Sequence, residues 1–295
     1  MRHTGFLLLS FVAALLSCSS DDEPEQRTDG RKLRQLTIAE VPVTRATLTA
    51  SASSLGAAWE AGDQATYFNV SSFRPNNMDH GTLTATASAE TSTFTGKVYC
   101  NAGDNVALFY PQQTVPEQDP GRGKFNISLD GQKGTLEDIA ERFHYVYGVA
   151  KVTSVTDNTA NATINNMKSL LAVVKFTFVD GNNAPIPVET LDISFYDQYG
   201  PKGYPQSVTV TPSDNLDNVN AVPNYEDDED FGNWNSPLTI TFASETSSGV
   251  YVALFPYSLT GYLYFSVKNN SGTYTGTAKA TLKAGKYYPV TLKLN

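Results

Sequence analysis

The feature that most constrains this chain is a period of two. Val174, Phe176 and Phe178 alternate with polar or small neighbours, as do Leu191, Ile193 and Phe195. Val208 and Val210 follow, then Leu238, Ile240 and Phe242, the apolar run 250–255, and Leu263, Phe265 and Val267. The stretch 274–282 and the final set Tyr288, Val290, Leu292 and Leu294 complete the series. Successive side chains of a strand point to opposite faces, so this spacing builds half-buried antiparallel strands and denies a helix any continuous apolar stripe. Comparable runs precede it at 65–70, 82–86, 93–99, 105–110, 125–129 and 145–155. Sixteen Tyr and fifteen Phe suit pleated, half-buried surfaces. Gly and Pro fall between the runs, where turns belong. The expected fold class is therefore all-β. Roughly seven runs after residue 160, the size of a small sandwich, and a similar set before it give two tandem β-sandwich domains, 44–160 and 161–295.

Two local departures are expected. Leu136, Ile139, Ala140 and Phe143 share one helical face, and Thr135 can cap a short helix there, with Asp138 three residues on. Pro289 interrupts the last strand and has no N–H to donate, so that strand belongs at a sheet edge or bulge.

The N-terminus is an address. Met1-Arg2-His3 is positively charged, and residues 6–16 carry no charge. That run is too short to span a bilayer and suits the core of a signal peptide. It ends in Leu15-Leu16-Ser17-Cys18, which resembles the lipobox of bacterial lipoproteins. The resemblance implies that residues 1–17 are removed and that Cys18 is acylated. Ser19-Ser20-Asp21-Asp22-Glu23 resembles an acidic signal that sends Bacteroidetes lipoproteins to the outer face of the outer membrane. Residues 18–43 are polar and charged and read as a disordered tether. No later segment is long and apolar enough to be a transmembrane helix, so the lipid is the expected anchor.

Several function classes drop out. The formal net charge of −9 argues against nucleic acid as a partner. Arg27, Arg31, Lys32 and Arg34 read as a solvated stretch of tether. No nucleophile elbow, metal-spaced His pair, phosphate loop or dinucleotide fingerprint appears, so neither an enzyme nor a cofactor is expected. With Cys18 acylated, Cys100 has no disulfide partner and is expected to be buried or inert. The acidic run 226–230 lacks the alternating spacing and Gly of a loop that wraps Ca²⁺ and reads as solvated surface, so no metal is assigned. Tyr196, Tyr199 and Tyr204 lie in one Gly/Pro loop. Exposed and coplanar, they would form a platform for a glycan, making the chain a surface glycan-binding lipoprotein; packed inward, they would cover a core edge.

Other residues, taken in order, resemble a known family. Val43-Thr44-Arg45-Ala46-Thr47-Leu48, then Trp59, Gly62 and Asp63, resemble the opening of the mature domain of Bacteroidetes-type fimbrillins. Phe94-Thr95-Gly96, the strand 108–111, Leu170-Leu171-Ala172-Val173-Val174-Lys175-Phe176, the strand 252–256 and the ending 282–288 also match. Asn166, Met167 and Lys168 stand where the family often has a His. The resemblance implies two transthyretin-like Greek-key sandwiches in a structural or adhesive fimbrial subunit. It also implies cleavage by an arginine-specific protease at Arg45, with Arg34 a weaker candidate, and assembly with other fimbrial subunits by β-strand addition. A host or bacterial surface receptor is a further implied partner. Stalk subunits of the family carry extra strands after the Ala284-Gly285-Lys286-Tyr287 strand. This chain stops at Asn295, so a tip or accessory subunit, or a stand-alone surface lipoprotein, is expected.

Overall fold

A computed structural model describes residues 29–42, 47–50, 55–72, 78–115, 124–197, 200–219, 236–256, 262–279 and 281–295. Its first strands are β1 (Lys32–Pro42), β2 (Thr47–Ala50), β3 (Leu55–Ala58), β4 (Gln64–Asn69), β5 (Asp79–Ala85), β6 (Thr91–Cys100) and β7 (Asn105–Tyr110). β8 (Phe125–Ser128), β9 (Val146–Val155), β10 (Thr159–Ser169), β11 (Ala172–Val179), β12 (Val188–Asp197), β13 (Gly200–Lys202) and β14 (Ser207–Val210) follow. The last are β15 (Leu238–Thr246), β16 (Val250–Leu254), β17 (Tyr262–Asn269), β18 (Gly272–Ala278) and β19 (Tyr287–Lys293). The all-β expectation holds.

In the first half the sheet closes on itself as a barrel in the order β1-β10-β9-β7-β4-β5-β6. β1 makes the closure, antiparallel to β6 and parallel to β10. The barrel interior holds Leu36, Ile38, Val41, Trp59, Leu83, Phe94, Val98, Val106, Leu108 and Val152. In β7, Val106, Leu108 and Tyr110 point into this interior, whereas Ala107 and Phe109 pack on the opposite face with the rest of the molecule. Burial on both faces explains why 106–110 is a continuous apolar run instead of an alternating one.

In the second half, β16-β11-β19 form a three-stranded sheet, and β13-β12-β17-β18 form another, with β15 also paired to β12. Phe176 and Phe178 of the first meet Phe265 of the second at ring separations of 5.1 and 6.4 Å. β19 is an end strand, as Pro289 requires. Leu294 donates its N–H to Val179 and Lys286 accepts from Val173, so the even-numbered backbone groups face β11. The missing N–H of Pro289 lies on the outer side, where it breaks no ladder bond.

Two expected boundaries are corrected. Residues 32–42 are strand β1, not tether: Leu36 and Ile38 alternate inward, and the charge that disguised them is satisfied by the protein itself, as shown below. The domain boundary placed between 160 and 161 falls inside β10, which pairs with β1 and β9 and therefore belongs to the barrel. β10 escaped notice because its inward residues Ala160 and Ala162 are small and give a weak hydrophobic signal.

The halves share one core. β8 leaves the first half to pair with β14 of the second. Its Phe125 packs on the barrel's outer face, 4.2 Å from the Phe109 ring and stacked 5.6 Å from Phe68. The short helix forms where expected: the Asp138 N–H donates to Thr135 Oγ1 at 3.2 Å, and Ile139, Ala140 and Phe143 are buried. Only its first turn, α1 (Leu136–Asp138), is α-helical; residues 139–143 widen into a π turn.

Candidate functional site

The feature that stands out is how β1 is held. Its inward residues are Arg34, Leu36 and Ile38, then, after a bulge in which Glu40 adopts φ 52°, Val41. The bulge inserts an extra residue and restores Val41 to the inner face. Leu36, Ile38 and Val41 are each 0% exposed. At the far end of the strand, Trp59 Nε1 donates to the Val41 carbonyl at 3.1 Å, and its ring sits edge-on to Phe94 and Tyr110.

The near end is held by charge. Arg31 forks onto Asp104, with Nε to Oδ2 at 2.7 Å and a second N–H to Oδ1 at 2.9 Å. Another of its N–H groups reaches the Ser71 carbonyl at 2.9 Å, and the guanidinium also pairs with Asp29 at 3.1 Å. Asp104 accepts further bonds from Asn69 Nδ2 at 3.0 Å and the Asn101 N–H at 2.9 Å. Burial alone would raise the Asp104 carboxyl. The bonds from Arg31, Asn69 and Asn101 outweigh it and hold its pKa below the ordinary value.

Arg34 is buried at 7% exposure. It donates to the carbonyls of Thr156, at 2.6 Å, and Cys100; Cys100 ends β6, which flanks β1, and Thr156 lies in the turn between β9 and β10. A buried guanidinium needs such acceptors, and backbone carbonyls, that of Lys32 at 3.4 Å among them, supply them without a counter-charge. Arg31 and Arg34 are therefore structural anchors of β1 and not the solvated linker charges that composition suggests. The available signal was the alternation Arg34, Leu36, Ile38; the charges around it hid the strand.

Of the other expected sites, Cys18, Arg45, Tyr199 and the acidic run 226–230 lie outside the described residues, and Tyr196 is described only as backbone in β12. Tyr204 is 1% exposed and stacked on Phe195 at 5.0 Å, so its ring cannot offer a face to a glycan. The three-ring platform is corrected accordingly: Tyr204 covers the core, because stacking on Phe195 removes both rings from water. Cys100 is buried, and its thiol is pushed up to about 11 by burial, which leaves it protonated and inert at neutral pH. Among the described residues no group of three or more His, Cys, Asp or Glu could hold a metal.

Comparison with known proteins returns likeness of fold. A candidate cell adhesion protein from Bacteroides ovatus superposes with a TM-score of 0.55 at 13% identity, over 89% of this chain and 93% of its own. One from Bacteroides uniformis gives 0.51 at 15% identity, over 91% and 94%. The tip fimbrial protein Mfa3 from Porphyromonas gingivalis aligns more loosely, with a TM-score of 0.42 at 9% identity over 88% and 95%. No family model and no curated protein matches the sequence. The likeness is one of fold, and the two structures that superpose with a TM-score above 0.5 are described as candidate cell adhesion proteins.

Proposed function

We propose that this chain is a fimbrial subunit, exported to the cell surface as a lipoprotein acylated at Cys18, in which cleavage after Arg45 frees β1 for replacement by a strand of a neighbouring subunit. The position of β1 carries the reading. It is the element directly before Arg45, so one cut there separates β1, and everything N-terminal to it, from the rest of the chain. β1 also fills a slot between β6 and β10. Its departure uncovers the pockets of Leu36, Ile38 and Val41 together with two strand edges, a ready template for another extended chain. The fold shared with Bacteroides adhesion proteins supports a surface, adhesive role. Arg34 is a poor cleavage site while β1 is in place, because proteolysis selects exposed, mobile backbone.

The test is N-terminal sequencing after limited digestion of the full-length protein with an arginine-specific protease. The proposal expects Ala46 as the new first residue, and an Arg45→Ala variant that stays intact; cutting only at other arginines overturns it. Palmitate labelling lost in Cys18→Ala checks the anchor. Long homopolymers of the cut protein would assign a stalk role in place of the tip or accessory role expected from sequence.

A further inference from the structure

We infer that the slot occupied by β1 is read by charge as well as by apolar fit, and that it accepts a partner strand carrying arginines at the positions of Arg31 and Arg34. This rests on the strand-replacement reading above. The partner is thus an extended segment of another fimbrial subunit with the pattern Arg-x-x-Arg-x-apolar-x-apolar, then a bulge and a further apolar residue.

Departure of β1 leaves a buried carboxylate behind. Asp104 is 6% exposed, and Arg31 supplies two of the four hydrogen bonds that its carboxylate receives. Without Arg31, a buried carboxylate keeps only neutral donors, and a buried charge that loses its counter-ion is strongly disfavoured. A strand that brings a guanidinium back restores the pair; one that brings a leucine leaves the charge stranded. Lysine offers the charge but not the planar fork that matches both carboxylate oxygens.

Three residues on, the same logic holds with carbonyls. The Thr156 and Cys100 oxygens receive the Arg34 guanidinium from opposite sides of the slot, Cys100 ending β6 and Thr156 following β9. An apolar side chain there would bury both acceptors against hydrocarbon. The two sites lie at the same end of the strand, ahead of the Leu36 and Ile38 pockets, so they fix register as well as identity. A strand slipped by one residue presents its alternate side chains to the wrong face. Direction is fixed by parallel pairing to β10 and antiparallel pairing to β6.

The experiment supplies strands in trans. Full-length protein cut after Arg45 is unfolded, freed of its N-terminal fragment and of protease, and refolded with fluorescein-labelled peptides of residues 29–45. The peptides are native, Arg31→Leu, Arg34→Leu, and Arg31→Lys. Anisotropy titration should show the native peptide bound, each leucine peptide at least tenfold weaker, and the lysine peptide between them. In a second protein carrying Asp104→Asn, the native and Arg31→Leu peptides should bind within about threefold of each other, because their difference is the coupling to that carboxylate. Leucine peptides that bind as well as the native one overturn the charge code while leaving strand replacement standing. A native peptide that does not bind overturns both.

Discussion

The Asp104 carboxylate receives four hydrogen bonds, two from Arg31 and one each from Asn69 and the Asn101 backbone, while the residue is nearly excluded from water. Its pKa is held below the ordinary value of 3.8, so the folded state binds its proton less readily than the unfolded chain does. The stability that Asp104 contributes is therefore complete above that value and is lost as pH falls through the lower folded-state pKa. Acid melts of the wild type should steepen below about pH 4. Asp104→Asn should be about 3 kcal/mol less stable at pH 7, from the loss of a buried ionic partner, and should show a shallower acid dependence. Urea unfolding across pH 2–7 would measure both. Cys100 makes a second residue-scale prediction. With its thiol raised to about 11 by burial, iodoacetamide at pH 8 should leave the folded protein unmodified and label it quickly in denaturant.

Among the elements, β16 shows how an edge can be protected without another strand. The Tyr251 N–H donates to the Gly134 carbonyl at 2.9 Å. Two residues on, the Gln132 side chain does what a neighbouring backbone would do. Its Oε1 accepts from the Ala253 N–H at 2.7 Å, and its Nε2 donates to the Ala253 carbonyl at 3.0 Å. Capping an edge in this way blunts its tendency to pair with other chains. Gln132→Ala would leave a buried N–H and a buried carbonyl without partners, at a cost of about 2–4 kcal/mol. Faster hydrogen exchange at Ala253 than in wild type, with greater self-association, is the expected outcome; unchanged exchange would mean that the side chain is dispensable. β1 is the opposite case, an interior strand fastened at each end, by Arg31 on Asp104 and by Trp59 on Val41.

At the scale of the whole molecule the two halves are not independent. β8 and β14 pair across them, and Phe68, Phe109, Phe125 and Tyr147 of the first half share one core with Leu171, Val210 and Leu254 of the second. A fragment of residues 161–295 would begin inside β10 and expose apolar surface that β8 covers, so it should give no cooperative melt, whereas the full chain should unfold in one transition. Calorimetry on both would decide; a cooperative 161–295 fragment would show that the shared core is not needed for folding.

Strand after strand was legible in the sequence, because side-chain alternation is imposed by the pleat of each strand alone. The runs at 105–110 and 125–129 match β7 and β8 closely, and the Thr135-capped turn forms where its periodicity pointed. Two of the strands that escaped, β1 and β10, present arginines and alanines where leucines would have announced them. Their inward faces are justified only by distant partners: Asp104 and the carbonyls of Cys100 and Thr156 for the first, and the β1 and β9 ladders for the second. The burial of Tyr204 against Phe195 is likewise a matter of who lies opposite whom. Local patterning thus determined the kind of elements, since each strand carries its own period. Closure of the barrel by β1, and with it the candidate assembly slot, depended on contacts between residues up to about 120 positions apart that no local spacing records.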